Sequence, residues 1–300
     1  MYIPLRQSGV SDPDILYASY KLVYGQEILG SDLEKDQILC EFRKRRKLDR
    51  IEIHINDHCN LSCANCSMFA GLVDGEVNAD FERTKKALLR LKEIYYHICE
   101  IDLIGGEPLL NQQLGEYCTL LRQLFPDAYI FIVSNGILVP QMDKKLIGII
   151  QKNDIYLSVT YYPGYSELIR QIKIFCEENE IVLELLQKRV NFVKLYDLSG
   201  NNSKEELFQR CRRKFMIIAM RENELAVCYA PFALPYAEIK FNIGYRKDGV
   251  IDLFEEGLTN ELIMKRFSEP MDCCRYCHND SIAWQQSSEK ILDLLKTWSY

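Results

Sequence analysis

An α/β fold, with parallel strands covered by helices, is what the sequence predicts, on three observations. From residue 50 onward strand-like and helix-like patterns alternate regularly. The helices between strands are long enough to carry the chain back over a sheet, which makes successive strands parallel. The chemically unusual residues all fall just after strands, where parallel sheets place their chemistry.

The elements justify this in order. Residues 1–48 carry Tyr17, Tyr20, Val23, Tyr24 and Ile28 at mixed helical spacing, which predicts a helical extension. The basic run at residues 43–47 reads as the solvated end of a helix before the first strand. In residues 50–57, Ile51, Ile53 and Ile55 alternate with polar residues, the period of a strand. Asp80 then caps a helix whose stripe is Phe81, Thr84, Leu88, Leu91, Tyr95 and Ile98. The unit repeats as strand 100–104 and helix 112–125, strand 129–133 and helix 141–152, then strand 155–160, helix 166–178 and strand 181–186. Three regions follow: an extension at 1–48, a core at 49–200, and a cysteine-rich tail at 201–300.

The densest signal stands after the first strand. Cys59, Cys63 and Cys66 are spaced C-x3-C-x2-C. With 12 cysteines in 300 residues, that spacing arises by chance on the order of 0.02 times per chain. Three thiols on one loop can converge on zinc or an iron-sulfur cluster. No nearby CxxC or histidine pair supplies a fourth ligand, as a structural zinc site needs, whereas a cubane on three cysteines keeps one iron open. Gly105-Gly106-Glu107-Pro108 follows the second strand, Ser134-Asn135-Gly136 the third, and the fourth carries Ser158 and ends in Tyr161, Tyr162 and Tyr165. The glycine pair lets backbone approach a ligand, and Glu107 offers a carboxylate to an amino group. The tyrosines either stack on a substrate or cover the next helix. His54 and His58 lie about 13 Å apart on an extended strand, too far to share a metal, and with His97 and His278 they read as structural.

Composition narrows the classes. The net charge of -6 gives no attraction to nucleic acid or anionic membrane. Apolar runs are too short to span a bilayer and the first ten residues lack a signal-peptide core, so a cytoplasmic protein is expected. Twelve cysteines in a reducing compartment point to metal and redox chemistry, and to anaerobic handling.

Together the cysteine loop, the Gly-Gly-Glu-Pro turn, the Ser-Asn-Gly turn and the Ser158 strand resemble the radical S-adenosylmethionine (radical SAM) superfamily over roughly residues 50–200. The runs at 52–58 and 67–72 resemble a bacterial branch linked to polysaccharide or sugar modification. The resemblance implies a partial (β/α)6 barrel in which Cys59, Cys63 and Cys66 ligate a four-iron four-sulfur cluster. Its open iron would bind S-adenosylmethionine, and one electron from flavodoxin or ferredoxin would yield a 5'-deoxyadenosyl radical that abstracts hydrogen from substrate. It also implies that Gly105, Gly106 and Glu107 hold the amino group, with Ser134, Asn135 and Ser158 near ribose and carboxylate. The residue before the third cysteine, commonly aromatic in the superfamily, is Asn65 here, so adenine recognition would rest on backbone groups.

Five cysteines lie beyond residue 200: Cys211, Cys228, Cys273, Cys274 and Cys277. Cys274 and Cys277 form a CxxC and with Cys211 and Cys228 make a four-thiol set; the tail resembles a shortened auxiliary-cluster domain of the SPASM/twitch kind. The set fits an iron-sulfur cluster, structural zinc or redox thiols. Cys273 is left over, a candidate hydrogen-atom donor. Cys40, Cys99, Cys118 and Cys176 read as small buried hydrophobes. Three functions compete: a radical SAM enzyme on a saccharide or sugar-like substrate, a radical SAM maturase of a ribosomal peptide, and a non-catalytic zinc or iron-sulfur scaffold.

Overall fold

The protein is described by a computed structural model over residues 43–44, 46–186, 191–211 and 217–283. The expected N-terminal extension and Cys40 lie outside the described residues.

The repeating units form as the patterns predict. Strand β1 (Lys47–Asn56) leads to helix α1 (Phe81–Ile94), β2 (His97–Gly105) to α2 (Leu114–Leu124), β3 (Tyr129–Ser134) to α3 (Lys144–Lys152), and β4 (Ile155–Val159) through α4 (Ser166–Glu178) to β5 (Leu183–Leu185). Asp80 accepts from the Arg83 amide at 2.9 Å and Asp143 from the Leu146 amide at 2.7 Å, meeting otherwise orphaned N–H groups at the starts of α1 and α3. In β1, Ile51, Ile53 and Ile55 are completely buried in the same hydrophobic core as Leu88 and Leu91 of α1. Each such side chain contributes about 2 kcal/mol of apolar burial. The alternate set, Arg50, Glu52, His54 and Asn56, points to the other face of the sheet.

Strands β1 to β5 are parallel neighbours in the order β5-β4-β3-β2-β1. The sixth parallel strand comes from the tail: β7 (Ile218–Arg221) pairs with β1, Ile51 opposite Ile218 and Ile53 opposite Met220. Antiparallel β8 (Glu224–Ala226) and β9 (Ile251–Asp252) extend that edge. A separate ribbon joins β6 (Asn191–Tyr196) to β10 (Cys277–Ala283). The tail adds α5 (Lys204–Arg210), α6 (Ala230–Phe241) and α7 (Asn260–Phe267). This mostly parallel α/β sheet flanked by helices is the predicted fold class, an open partial barrel. No helix among the described residues is long and apolar enough to cross a membrane.

In the basic run, residues 43–44 are helical just before β1, and one cation departs from the solvated end expected there. Arg43 is buried and pairs with Asp49 at 3.2 Å, and Arg46 donates to the Glu93 and Ile94 carbonyls at the end of α1. Arg43 thus ties down the entry of β1, whereas Lys44 and Arg46 are exposed, Arg46 capping the end of α1 from the solvent side.

Candidate functional site

The cysteine loop, the turn after β2 and the turn after β3 meet at the carboxyl ends of their strands, and Asn56 is the clasp. Its Nδ2 donates to the carbonyls of His58 at 3.1 Å and Glu107 at 2.9 Å, while its own carbonyl accepts from the Gly106 amide at 3.1 Å. The Glu107 amide donates to the His58 carbonyl at 3.0 Å. A Cβ on Gly105 would overlap the Asn56 carbonyl oxygen, and one on Gly106 the His58 carbonyl oxygen. Both glycines are therefore required by backbone packed against backbone.

Glu107 does a different job from the one expected of its side chain. Its carboxylate is fully buried and accepts from Ser134 Oγ at 2.8 Å, the Asn135 amide at 2.8 Å and the Leu109 amide at 3.1 Å. Burial pushes its pKa up to about 7 against the pull of those donors. The carboxylate shapes the 134–136 turn, and Glu107 itself does not line the cavity between these pieces. Asn135 then links turn to loop: Nδ2 donates to Asn60 Oδ1 at 2.7 Å and reaches Cys59 Sγ at 3.6 Å.

A cavity of about 300 Å³ opens between these pieces. It is lined by Cys59, Cys63 and Cys66, by Gly105, Gly106, Ser134 and Asn135, and on other sides by Glu52, Met68, Thr160, Tyr162 and Tyr229. Seven of the sequence-predicted residues are thus brought together. Ser158 is not, because its hydroxyl donates to Glu184 at 2.8 Å in a buried pair. Of the three tyrosines Tyr162 reaches the cavity, while Tyr161 shares a hydrogen bond with Ser166 Oγ at 2.7 Å.

Burial pushes the Cys59 thiol up to about 12 and raises Cys66, so each is protonated until a metal displaces the proton. Backbone amides of Met68, Phe69 and Ala70 oppose this at Cys66, and such donors favour a thiolate. Two loop residues hold the left-handed conformation, Asn65 at φ 56° and Phe69 at φ 52°. Asparagine tolerates it; Phe69 is held by stacking on Tyr196, ring centres 5.0 Å apart. Asn65 is one of the residues lining the cavity, and its Oδ1 is buried without a hydrogen-bond partner among the described residues. The three thiols line one cavity, which fits the donor type an iron-sulfur cluster needs, although among the described residues no three such side chains stand close enough to hold a metal ion as they are placed here.

In the tail, the thiols of Cys228 and Cys274 both hydrogen bond to that of Cys273, which is completely buried, raising its pKa well above the ordinary thiol value. Cys211 ends α5, which packs on the turn Asp272–Tyr276. Cys273 is absent from the cavity lining, so it lacks the access a hydrogen donor to a substrate there requires. It belongs with the tail thiols.

Residues 50–179 match the family model of the 4Fe-4S single cluster domain. The group that this family model describes is a four-iron four-sulfur cluster. Among curated proteins the chain is similar to GTP 3',8-cyclase of Clostridium acetobutylicum, 30% identical over 34% of this chain and 31% of the relative. It is also similar to that of Nautilia profundicola, 29% identical over 34% and 32%. A probable GTP 3',8-cyclase of Thermoplasma volcanium is 24% identical over 64% and 61%. The chain thus spans about a third of the length of the first two relatives. Among solved structures, BtrN in complex with AdoMet and 2-DOIA is 17% identical, covering 81% of this chain and 97% of that one at a TM-score of 0.49.

Proposed function

We propose that this radical SAM enzyme removes a hydrogen atom from a saccharide or sugar-like substrate seated in the cavity beside the cysteine loop. The observation that carries the reading is the opening of three thiols and two glycine-containing turns onto one partly open cavity. When bound, the cluster and S-adenosylmethionine supply a 5'-deoxyadenosyl radical. The chain's own residues do the rest. Cys59, Cys63 and Cys66 would hold the cluster, and the backbone of Gly105, Gly106 and Glu107 would receive the amino group of the cofactor. Ser134 and Asn135 would face its ribose and carboxylate. Asn65 Oδ1 offers an acceptor to its adenine amino group. Met68, Tyr162 and Tyr229 line the cavity and exclude water from the reacting atoms.

A sugar-like substrate is supported by the resemblance of the segments flanking the cluster loop and by curated relatives whose named substrate, GTP, contains a ribose. The tail thiols, with Cys273 added to the expected set of Cys211, Cys228, Cys274 and Cys277, would hold an auxiliary iron-sulfur cluster. Flavodoxin or ferredoxin in the cytoplasm would deliver the electron. Anaerobically reconstituted protein given dithionite and S-adenosylmethionine should release 5'-deoxyadenosine; no release above a Cys63→Ala control would end the reading.

A further inference from the structure

Helix α6 links the two cysteine-bearing regions of the chain, and one turn holds it at both ends. Cys228 stands two residues before Ala230, the first residue of α6, and its thiol hydrogen bonds to that of Cys273 in the turn Asp272–Tyr276. At the other end the chain leaves α6 through Asn242, in the left-handed conformation. The same turn grips the segment that follows. Tyr276 donates its hydroxyl to the Ile243 carbonyl at 3.0 Å, Arg275 Nη2 donates to the Gly244 carbonyl at 2.6 Å, and Asp272 accepts from the Arg246 amide at 3.0 Å. Pro235, inside α6, withdraws one helical N–H. The position of the helix therefore depends on these tertiary holds as well as on its own bonds.

Between its held ends α6 meets the cysteine loop on both flanks. Tyr236, one residue past the proline and about 9 Å along the axis from Ala230, donates to Asp57 Oδ2 at 2.6 Å. Asp57 is buried and precedes Cys59 by two residues. The helix also packs on the 3-10 turn Ala70–Leu72, which begins four residues after Cys66. A hydroxyl donating to a carboxylate is among the stronger hydrogen bonds, so a shift of α6 is passed on to Asp57.

We propose that Tyr236 is a positioning residue, through which α6 sets the cysteine loop according to whether the tail thiols are held together. Loosening the contact of Cys228 with Cys273 frees the start of α6, and Tyr236 carries that freedom to the residue from which the loop departs. Linkage makes the effect reciprocal, so a molecule that orders the loop also tightens the tail. The consequence for S-adenosylmethionine rests on the reading of the loop as that cofactor's site; the mechanical coupling does not.

The test is a double-mutant cycle on the reconstituted enzyme, with Tyr236→Phe, which keeps the ring and removes the hydroxyl, and Cys273→Ala. Amide hydrogen exchange followed by mass spectrometry reads residues 57–72, and equilibrium dialysis reads S-adenosylmethionine binding. Each single variant should speed exchange across 57–72 by about fivefold or more and weaken S-adenosylmethionine by a similar factor. The double variant should be no worse than the worse single, because both cut one route. Tyr236→Phe should also speed exchange in residues 272–276 and leave α3 at the wild-type rate, which a general loss of stability would not do. Exchange across 57–72 unmoved in either single variant, effects that multiply in the double, or a parallel rise in α3 would overturn the proposal. Should Cys273→Ala not fold, Cys274→Ala takes its place in the cycle. Wild-type enzyme that binds no S-adenosylmethionine would end the enzymatic reading, whereas exchange across 57–72 decides the coupling by itself.

Discussion

Arg221 of β7 grips Asp57, the first residue beyond β1, through Nη2 at 2.7 Å and Nε at 3.2 Å, bridging 164 positions of sequence. Tyr236 of α6 donates to the same carboxylate at 2.6 Å. The cysteine loop begins two residues later, so its starting point is fixed by the tail.

Removing one side of this pair leaves a nearly buried charge uncompensated. Arg221→Met should lower stability by about 3 kcal/mol, read as a shift in the urea midpoint at unchanged slope. The double variant with Asp57→Asn should recover part of the loss. Equal midpoints for wild type and Arg221→Met would show the pair to be inert.

Glycine substitutions should part in sign. Gly105→Ala and Gly106→Ala drive a methyl into backbone carbonyls, which cannot yield as a flexible side chain can, so each should destabilise by more than about 3 kcal/mol or fail to fold. At Gly148 of α3 a methyl would meet nothing within 4 Å, and Gly148→Ala should gain about 0.5–1 kcal/mol from reduced backbone entropy in the unfolded chain. Thermal melts of the three variants side by side check this.

Glu107→Ala deletes the acceptor for three donors at once. It should cost about 3 kcal/mol in stability and weaken S-adenosylmethionine binding while iron content stays at the wild-type level, because this carboxylate orders the 134–136 turn and supplies no ligand to the metal. Equilibrium dialysis and an iron assay separate the two effects; parallel loss of iron would contradict the assignment.

His54 gives an acid limb. It is completely buried beside Phe232 and Tyr229, and burial depresses its pKa from 6.5 to about 4. A depressed folded value means that its contribution is complete above pH 6.5 and is lost as pH falls toward 4. The loss is on the order of 3 kcal/mol. His54→Phe keeps an aromatic ring there, and its stability should fall less than that of wild type between about pH 7 and pH 4.5 in urea titrations; equal losses would assign the limb to other groups.

The alternation of Ile51, Ile53 and Ile55 and the cap at Asp80 are legible in sequence because each acts within a few residues of itself. So is the thiol spacing of Cys59, Cys63 and Cys66. What escapes sequence reasoning depends on register between distant strands. The sequence marks Glu107 as a carboxylate at the rim, yet which way it turns depends on where the Ser134 hydroxyl and Asn135 amide arrive. Asn56 reads as one more polar residue on an alternating strand; its clasp exists only once β2 lies alongside. Cys273 has no partner in the CxxC arithmetic, and the packing of the 272–276 turn against Cys228 brings it into the set.

The placement of β7 beside β1 has a practical corollary for anyone dissecting the molecule. A fragment ending near residue 200 would keep every thiol of the cysteine loop while baring the hydrogen-bonding margin of its most deeply buried strand. Such an unprotected border invites pairing with other copies. Expression trials of the isolated catalytic half should therefore yield aggregates, whereas pieces retaining the chain through residue 252 should stay dispersed.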